Sequence, residues 1–158
     1  MRRFDVCNGD ADGLCAVLQW RLAAPGAATL ITGLKREIEL LQRVQAAPGD
    51  EVLVCDVSMP RNLTPLQRLL DAGVQVRYVD RHRVDAVPQH AALQAHIDGA
   101  ADVCTSLLVD RVLQGRFRAW ALVGAYGDNM ARVADGLATG MALDERARAD
   151  LRSLGEAI

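Results

Sequence analysis

VCNGDADGLCAV, residues 6–17, is the stretch on which the fold turns. The apolar run FDVC (4–7) ends at Asn8-Gly9-Asp10, and an apolar-patterned segment covering 13–24 begins immediately after Asp12. A short β-type run that passes through turn residues into a helical pattern is the opening half of a βαβ unit. The pattern continues along the chain. Further β-type runs stand at ATLIT (28–32), EVLVC (51–55) and VQVRYV (74–79), separated by helical patterns at 35–46 and 63–72. Residues 35–46 set Ile38, Leu40, Leu41 and Val44 against charged Lys35, Arg36, Glu37, Glu39 and Arg43, a one-sided apolar face that predicts a helix. Pro25-Gly26, Pro48-Gly49-Asp50 and Ala72-Gly73 fall between elements, where turns and helix C-caps belong. After residue 80 the spacing predicts a loop around Pro88, a strand at AHI (95–97), and helices near 104–115, 117–126 and 143–154. The fold class expected is α/β: a doubly wound, mainly parallel five-stranded sheet with helices on both faces and strand order 2-1-3-4-5.

Composition narrows the function classes. At 158 residues, 51% hydrophobic and 24% charged, the chain suits one domain, 1–158, with a core of its own. The net charge of −2 argues against strong general nucleic-acid binding, although 17 arginines beside one lysine, Lys35, leave material for local phosphate contacts. Cys7, Cys15, Cys55 and Cys104 are widely spaced, with no CxxC pair, and signal neither a zinc site nor a disulfide framework. The basic amino terminus lacks an apolar signal region, and no apolar run approaches ~18 residues. A soluble, cytoplasmic protein with reduced thiols is expected.

Position explains the acidic residues of the opening stretch. Asp10 and Asp12 follow the first strand, Asp56 follows EVLVC, and Asp80 follows VQVRYV. Parallel strands of an open sheet bind ligands at their carboxyl ends, so four carboxylates gather on the binding edge. Aspartate is also an ordinary turn residue and helix N-cap, and that reading applies to each of the four. For Asp56 it is weaker, since Pro60 delays the next helix and Ser58 and Asn62 stand closer to its start. Carboxylates so crowded repel unless a cation sits among them. Asp10 and Asp12, two residues apart, can hold neighbouring ions, with Asp56 reaching over from the adjacent strand. Oxygen ligands with one or two histidines suit manganese, or magnesium, better than zinc. Gly13 permits a sharp turn and leaves the helix amino terminus open to an anion such as phosphate.

The set DADG (10–13), Asp56 after an apolar strand, VDRH (79–82) and GAYGDN (124–129) resembles the DHH phosphoesterase superfamily, which includes RecJ-type exonucleases, nanoRNases and cyclic-dinucleotide phosphodiesterases. The resemblance implies that Asp10, Asp12, Asp56 and Asp128 ligate metal, manganese by preference. It places Asp80, Arg81 and His82 at the triplet that names the family, with His82 contacting the phosphate or protonating the leaving oxygen. It also places VCTSLLVDRVL (103–113) as a helix beside the site. The implied activity is hydrolysis of a phosphodiester in a short oligonucleotide or dinucleotide by metal-activated water. Family members continue into a smaller carboxyl-terminal substrate domain, which these 158 residues are expected to lack.

Two departures set the alternative. Arg81 stands where the family has its first triplet histidine, and an arginine cannot coordinate metal. Asn8 or Val6, depending on alignment, stands at a first-motif position often held by histidine. At most one firmly bound ion is therefore expected, with Arg81 pairing with carboxylates or gripping a substrate phosphate. The alternative is a metal-impaired domain that binds a nucleotide or a partner without turnover. DADGL and Thr32 also resemble the nucleophile loop and second motif of haloacid dehalogenase-type phosphatases, but Leu14 replaces their threonine and GAYGDN lacks their paired acids. Lys35 and Arg36 are phosphate-contact candidates by location alone, with a solvated helix face as the competing reading. His90 and His96 are read as non-catalytic, and Trp20 and Trp120 as core.

Overall fold

The computed structural model describes residues 1–158. Five strands form one sheet in the order β2-β1-β3-β4-β5: β1 (Arg3–Asn8), β2 (Thr29–Gly33), β3 (Glu51–Cys55), β4 (Gln75–Asp80) and β5 (Leu93–Ile97). Every neighbouring pair is parallel. The order is the expected one, and the fifth strand begins two positions earlier than the AHI run. Register places Cys7 beside Cys55 and Cys55 beside Val79, so β1, β3 and β4 end level with one another. That levelling brings Asp10, Asp12, Asp56 and Asp80 to a common edge.

The strands' period of two sorts their side chains between two cores. Phe4, Val6, Val52, Val54, Val76 and Tyr78 join Leu66, Leu69 and Leu70 of α2 (Leu63–Asp71) on one face. Cys7, Leu53, Cys55 and Val79 face Ala16 and Val17 of α1 (Ala11–Ala23) and Leu108 and Val109 of α3 (Thr105–Val112) on the other. On that second side α4 (Arg118–Gly127), α5 (Ala131–Ala138) and α6 (Glu145–Ala157) extend the packing through a third cluster around Leu107, Leu122 and Tyr126. Helices cover both faces, unevenly. No helix is long and apolar enough to cross a membrane.

The segment 35–46 is not an α-helix. Leu34–Glu37 form a turn closed by the Glu37 amide on the Leu34 carbonyl, and only Leu40–Arg43 make one short 3-10 turn. The buried Asn62 side chain explains the difference: Oδ1 accepts the Leu41 amide at 3.2 Å, while Nδ2 donates to the carbonyls of Ile38 at 2.7 Å and Ser58 at 2.9 Å. These bonds replace helical ones and still bury Leu40, Leu41 and Val44 in the first core. Lys35 and Arg36 consequently sit in an exposed turn rather than at a helix start. The short helix α5, which packs Ala134 and Ala138 into the third cluster, was not expected.

Candidate metal centre

The first strand leaves the sheet at Asn8, and α1 begins three residues later. Asp10 is its N-cap, with Oδ1 accepting the Gly13 amide at 3.1 Å. Gly13 is required by space as well as by turning, because a Cβ there would run into the Asn8 carbonyl oxygen. Asp12, one residue inside the helix, is 1% exposed. Its Oδ1 accepts the Ser106 amide at 2.7 Å and its Oδ2 the Thr105 amide at 2.8 Å. A carboxylate at the amino terminus of α3 is thereby held by two of that helix's otherwise unpaired N–H groups and by its dipole. Burial still raises the Asp12 pKa, helped by Asp128 and opposed by those amides.

Asp56 follows β3 directly and has φ 57, a left-handed backbone that aspartate tolerates better than most residues. The Thr105 hydroxyl donates to its Oδ1 at 3.0 Å. One residue of α3 therefore touches both Asp12 and Asp56. Behind the turn, the Tyr78 hydroxyl donates to the Val57 carbonyl at 2.6 Å and fixes the chain just past Asp56. Burial, then repulsion from Asp12, Asp10 and Asp80, pushes the Asp56 carboxyl up to about 8 in the metal-free chain.

Asp80 ends β4 and is fully buried. Its Oδ1 lies 2.7 Å from His82 Nδ1, whereas its Oδ2 is buried with no hydrogen-bond partner. The Asp80 hydrogen bond raises the His82 pKa above its ordinary value, against the effect of partial burial. Asp56, Asp80 and His82 can each present one ligand atom within 4.8 Å of the others. Two carboxylates and an imidazole, with an orphaned buried oxygen among them, fit a divalent cation of the manganese or magnesium type.

Arg81 turns the other way. Its Nε lies 3.9 Å from Asp12 Oδ2 and 3.9 Å from Asp56 Oδ1, and its Nη2 lies 3.3 Å from both oxygens of Asp128. Burial alone would lower its pKa, but Asp128, Asp56 and Asp12 outweigh it and the net shift is upward. Asp128 caps the carboxyl end of α4, and Asn129 after it takes the left-handed conformation, φ 59, that commonly ends a helix. The Gly-Asp-Asn of the fourth motif is thus a helix terminus aimed at the site. Burial raises the Asp128 pKa, with Arg81 opposing.

The carboxylates expected to act together divide into two groups that share Asp56. Asp80, His82 and Asp56 make one; Asp12, Asp128 and Asp56 surround Arg81 and make the other. Asp10 is engaged as a helix cap and lines the cleft beside Lys35, Ser58, Arg81 and His82. Val6 is buried in the sheet, so of the two first-motif positions Asn8 is the one that lines the cleft, with its Oδ1 buried and unpartnered. His90 and His96 are exposed and lie outside the centre. Thr105 and Ser106 were not expected to contact the acids; the only signal was a small polar pair opening an apolar helix. All four cysteines are free and buried, and burial pushes the Cys7 and Cys15 thiols up to about 12, which removes them as nucleophiles at neutral pH. A separate cleft of about 190 Å³, lined by Arg3, Trp20 and Arg77, opens at the amino-terminal ends of the strands, away from these residues.

The fold is similar to that of two solved structures, one of them titled a DHH domain. A DHH-domain protein described as a member of a family of ribosomal proteins superposes with a TM-score of 0.69 at 15% identity, over 98% of this chain and 46% of that one. The exonuclease RecJ bound to manganese superposes with a TM-score of 0.53 at 20% identity, over 99% of this chain and 47% of that one. No family model matches the sequence, and no curated protein does. The chain spans about half the length of the solved structures it matches.

Proposed function

We propose that this chain is a metal-dependent phosphoesterase domain of the DHH superfamily, hydrolysing a phosphodiester of a short oligonucleotide or nucleotide-like substrate. The observation that carries the reading is the Asp56–Asp80–His82 cluster at the carboxyl edge of a parallel sheet, beside the Arg81 guanidinium. The DHH and RecJ folds, the latter bound to manganese, support it. Asp56, Asp80 and His82 would hold the ion, with manganese preferred and magnesium able to serve. When bound, such an ion supplies Lewis-acid polarisation of a phosphoryl oxygen and makes a water acidic enough to react near neutral pH. Arg81 and Lys35 orient the phosphate, since both line the cleft and carry the positive charge that faces it. Asp80 fixes the His82 ring through Nδ1, which leaves Nε2 as the ring nitrogen free to ligate.

The test is a manganese-dependent assay on short oligonucleotides and cyclic dinucleotides with the wild type and Asp56→Asn. Turnover lost in Asp56→Asn supports the assignment, and turnover that survives it removes Asp56 from the centre. A second reading, a nucleotide- or partner-binding domain without turnover, is favoured by one observation: Arg81 occupies carboxylates that would otherwise be free for metal. Binding of the same oligonucleotides without hydrolysis would select it.

A further inference from the structure

Among the five carboxylates of this edge one guanidinium is placed at a specific corner. Arg81 reaches Asp12, Asp56 and Asp128 from a single guanidinium, at 3.9, 3.9 and 3.3 Å. Asp12 has no freedom to turn elsewhere, because both its oxygens are already bonded to α3 amides. Asp56 stands between this corner and the Asp80–His82 pair, and the Thr105 hydroxyl holds it there. The corner around Arg81 already contains its positive charge. On the Asp80 side His82 engages only Oδ1, and Oδ2 is a buried oxygen without any partner on a fully buried residue. One side of Asp56 thus has a resident guanidinium, and the other an unpaired buried carboxylate oxygen.

We propose that Arg81 is the built-in second cation of this centre, filling the Asp12–Asp56–Asp128 corner, so that the chain takes one divalent ion, confined to Asp56, Asp80 and His82. The inference rests on the metal centre proposed above and adds to it how the second position is filled. A guanidinium cannot activate water, since it neither coordinates nor releases a proton near neutral pH. Its two-pronged donor geometry does match the non-bridging oxygens of a phosphate, and the side chain is 37% exposed, so substrate can reach it. The centre therefore combines one ion for chemistry with one arginine for charge and phosphate orientation.

The experiment is manganese stoichiometry, by calorimetric titration and elemental analysis, on the wild type, Arg81→His, Arg81→Lys and Asp80→Asn. One ion per wild-type chain, lost in Asp80→Asn and rising to two in Arg81→His, is the expected result. Arg81→Lys keeps the charge and should stay at one ion, which preserves the comparison if Arg81→His folds only with metal. In chelator, Arg81→His should melt at a lower temperature than the wild type, and manganese should restore it, because three facing carboxylates have lost their counter-ion. Two ions in the wild type, or one ion in both the wild type and Arg81→His, would overturn the role given to Arg81 while leaving the metal centre standing. No ion bound by any variant would overturn the metal centre itself.

Discussion

The Thr105 amide donates to Asp12 Oδ2 at 2.8 Å across 93 positions of sequence, and the same residue's hydroxyl donates to Asp56 Oδ1. One residue thus joins the acids of two different strand ends. Thr105→Val keeps the amide bond and the side-chain volume but deletes the hydroxyl. Loss of one such buried bond costs about 1 kcal/mol, plus the desolvation of the oxygen left unpaired. The second consequence is in metal affinity, since groups that orient ligands are worth roughly 10–100-fold. Calorimetry should show a lower melting temperature together with weaker manganese binding; unchanged affinity would mean that Asp56 is held by other contacts.

Asp56→Asn separates stability from function. In the metal-free fold the Asp56 carboxyl titrates near 8, lifted by burial and by Asp12, Asp10 and Asp80, while an unfolded aspartate titrates near ~3.9. Between those values the folded chain holds the extra proton, so wild-type stability falls as pH rises. Asparagine at 56 has no proton to lose. In chelator, the melting temperature of Asp56→Asn should gain on the wild type from about pH 5 to about pH 8, with the gap closing again toward acid. A constant gap across that range would show that Asp56 is not the group responsible.

Far from the site, Asp50 closes the turn that leads into β3. Its carboxylate accepts the Arg2 amide at 2.7 Å and the Ala47 amide at 2.8 Å, and its Oδ2 also lies 2.7 Å from Arg2 Nη2. The Ala47 and Arg2 amides, followed by the Arg2 side chain, hold its carboxyl down at about 2. The sign here is opposite to that of Asp56: the stabilisation is present above the ordinary carboxylate range and is lost as pH falls toward about 2. Asp50→Asn should therefore melt below the wild type at neutral pH, and the two should converge in acid. A difference that persists at about pH 2 would assign the loss to packing rather than to charge.

Tyr78→Phe probes the backbone behind the metal ligands. The ring is fully buried in the first core, and its hydroxyl is bonded only to the Val57 carbonyl. Removing the hydroxyl should cost about 1 kcal/mol of stability. It also frees the turn that carries Asp56, so manganese affinity should fall even though no ligand has been touched. A variant that loses stability but retains full affinity would show that the turn is held by its own sterics.

The strand ends were legible because β1, β3 and β4 are short apolar runs with polar punctuation, and a parallel α/β sheet puts the residues just after such runs on one edge. Asp10, Asp12, Asp56 and Asp80 could therefore be assigned to one place before their contacts were known. The segment 35–46 was misread because Leu40, Leu41 and Val44 satisfy a helical face and a 3-10 turn equally well. The deciding contact is the Asn62 side chain, some 21 to 24 positions away. The same applies within the centre. Cation and acids were visible as residue types, but the division of the acids between Arg81 and the Asp80–His82 pair depends on where α3 and α4 dock, which no local pattern encodes.

The left-handed backbone at Asp56 narrows what else that position can carry. Only glycine, and to a lesser degree asparagine and aspartate, enter this conformation readily, and a longer side chain costs about 1–2 kcal/mol there. Glutamate, the substitution that would keep the charge, therefore meets a main-chain cost before the different reach of its carboxylate enters. Of the three residues that enter it most readily, one alone brings a negative oxygen. At this point of the centre, conformation and coordination favour the same acid.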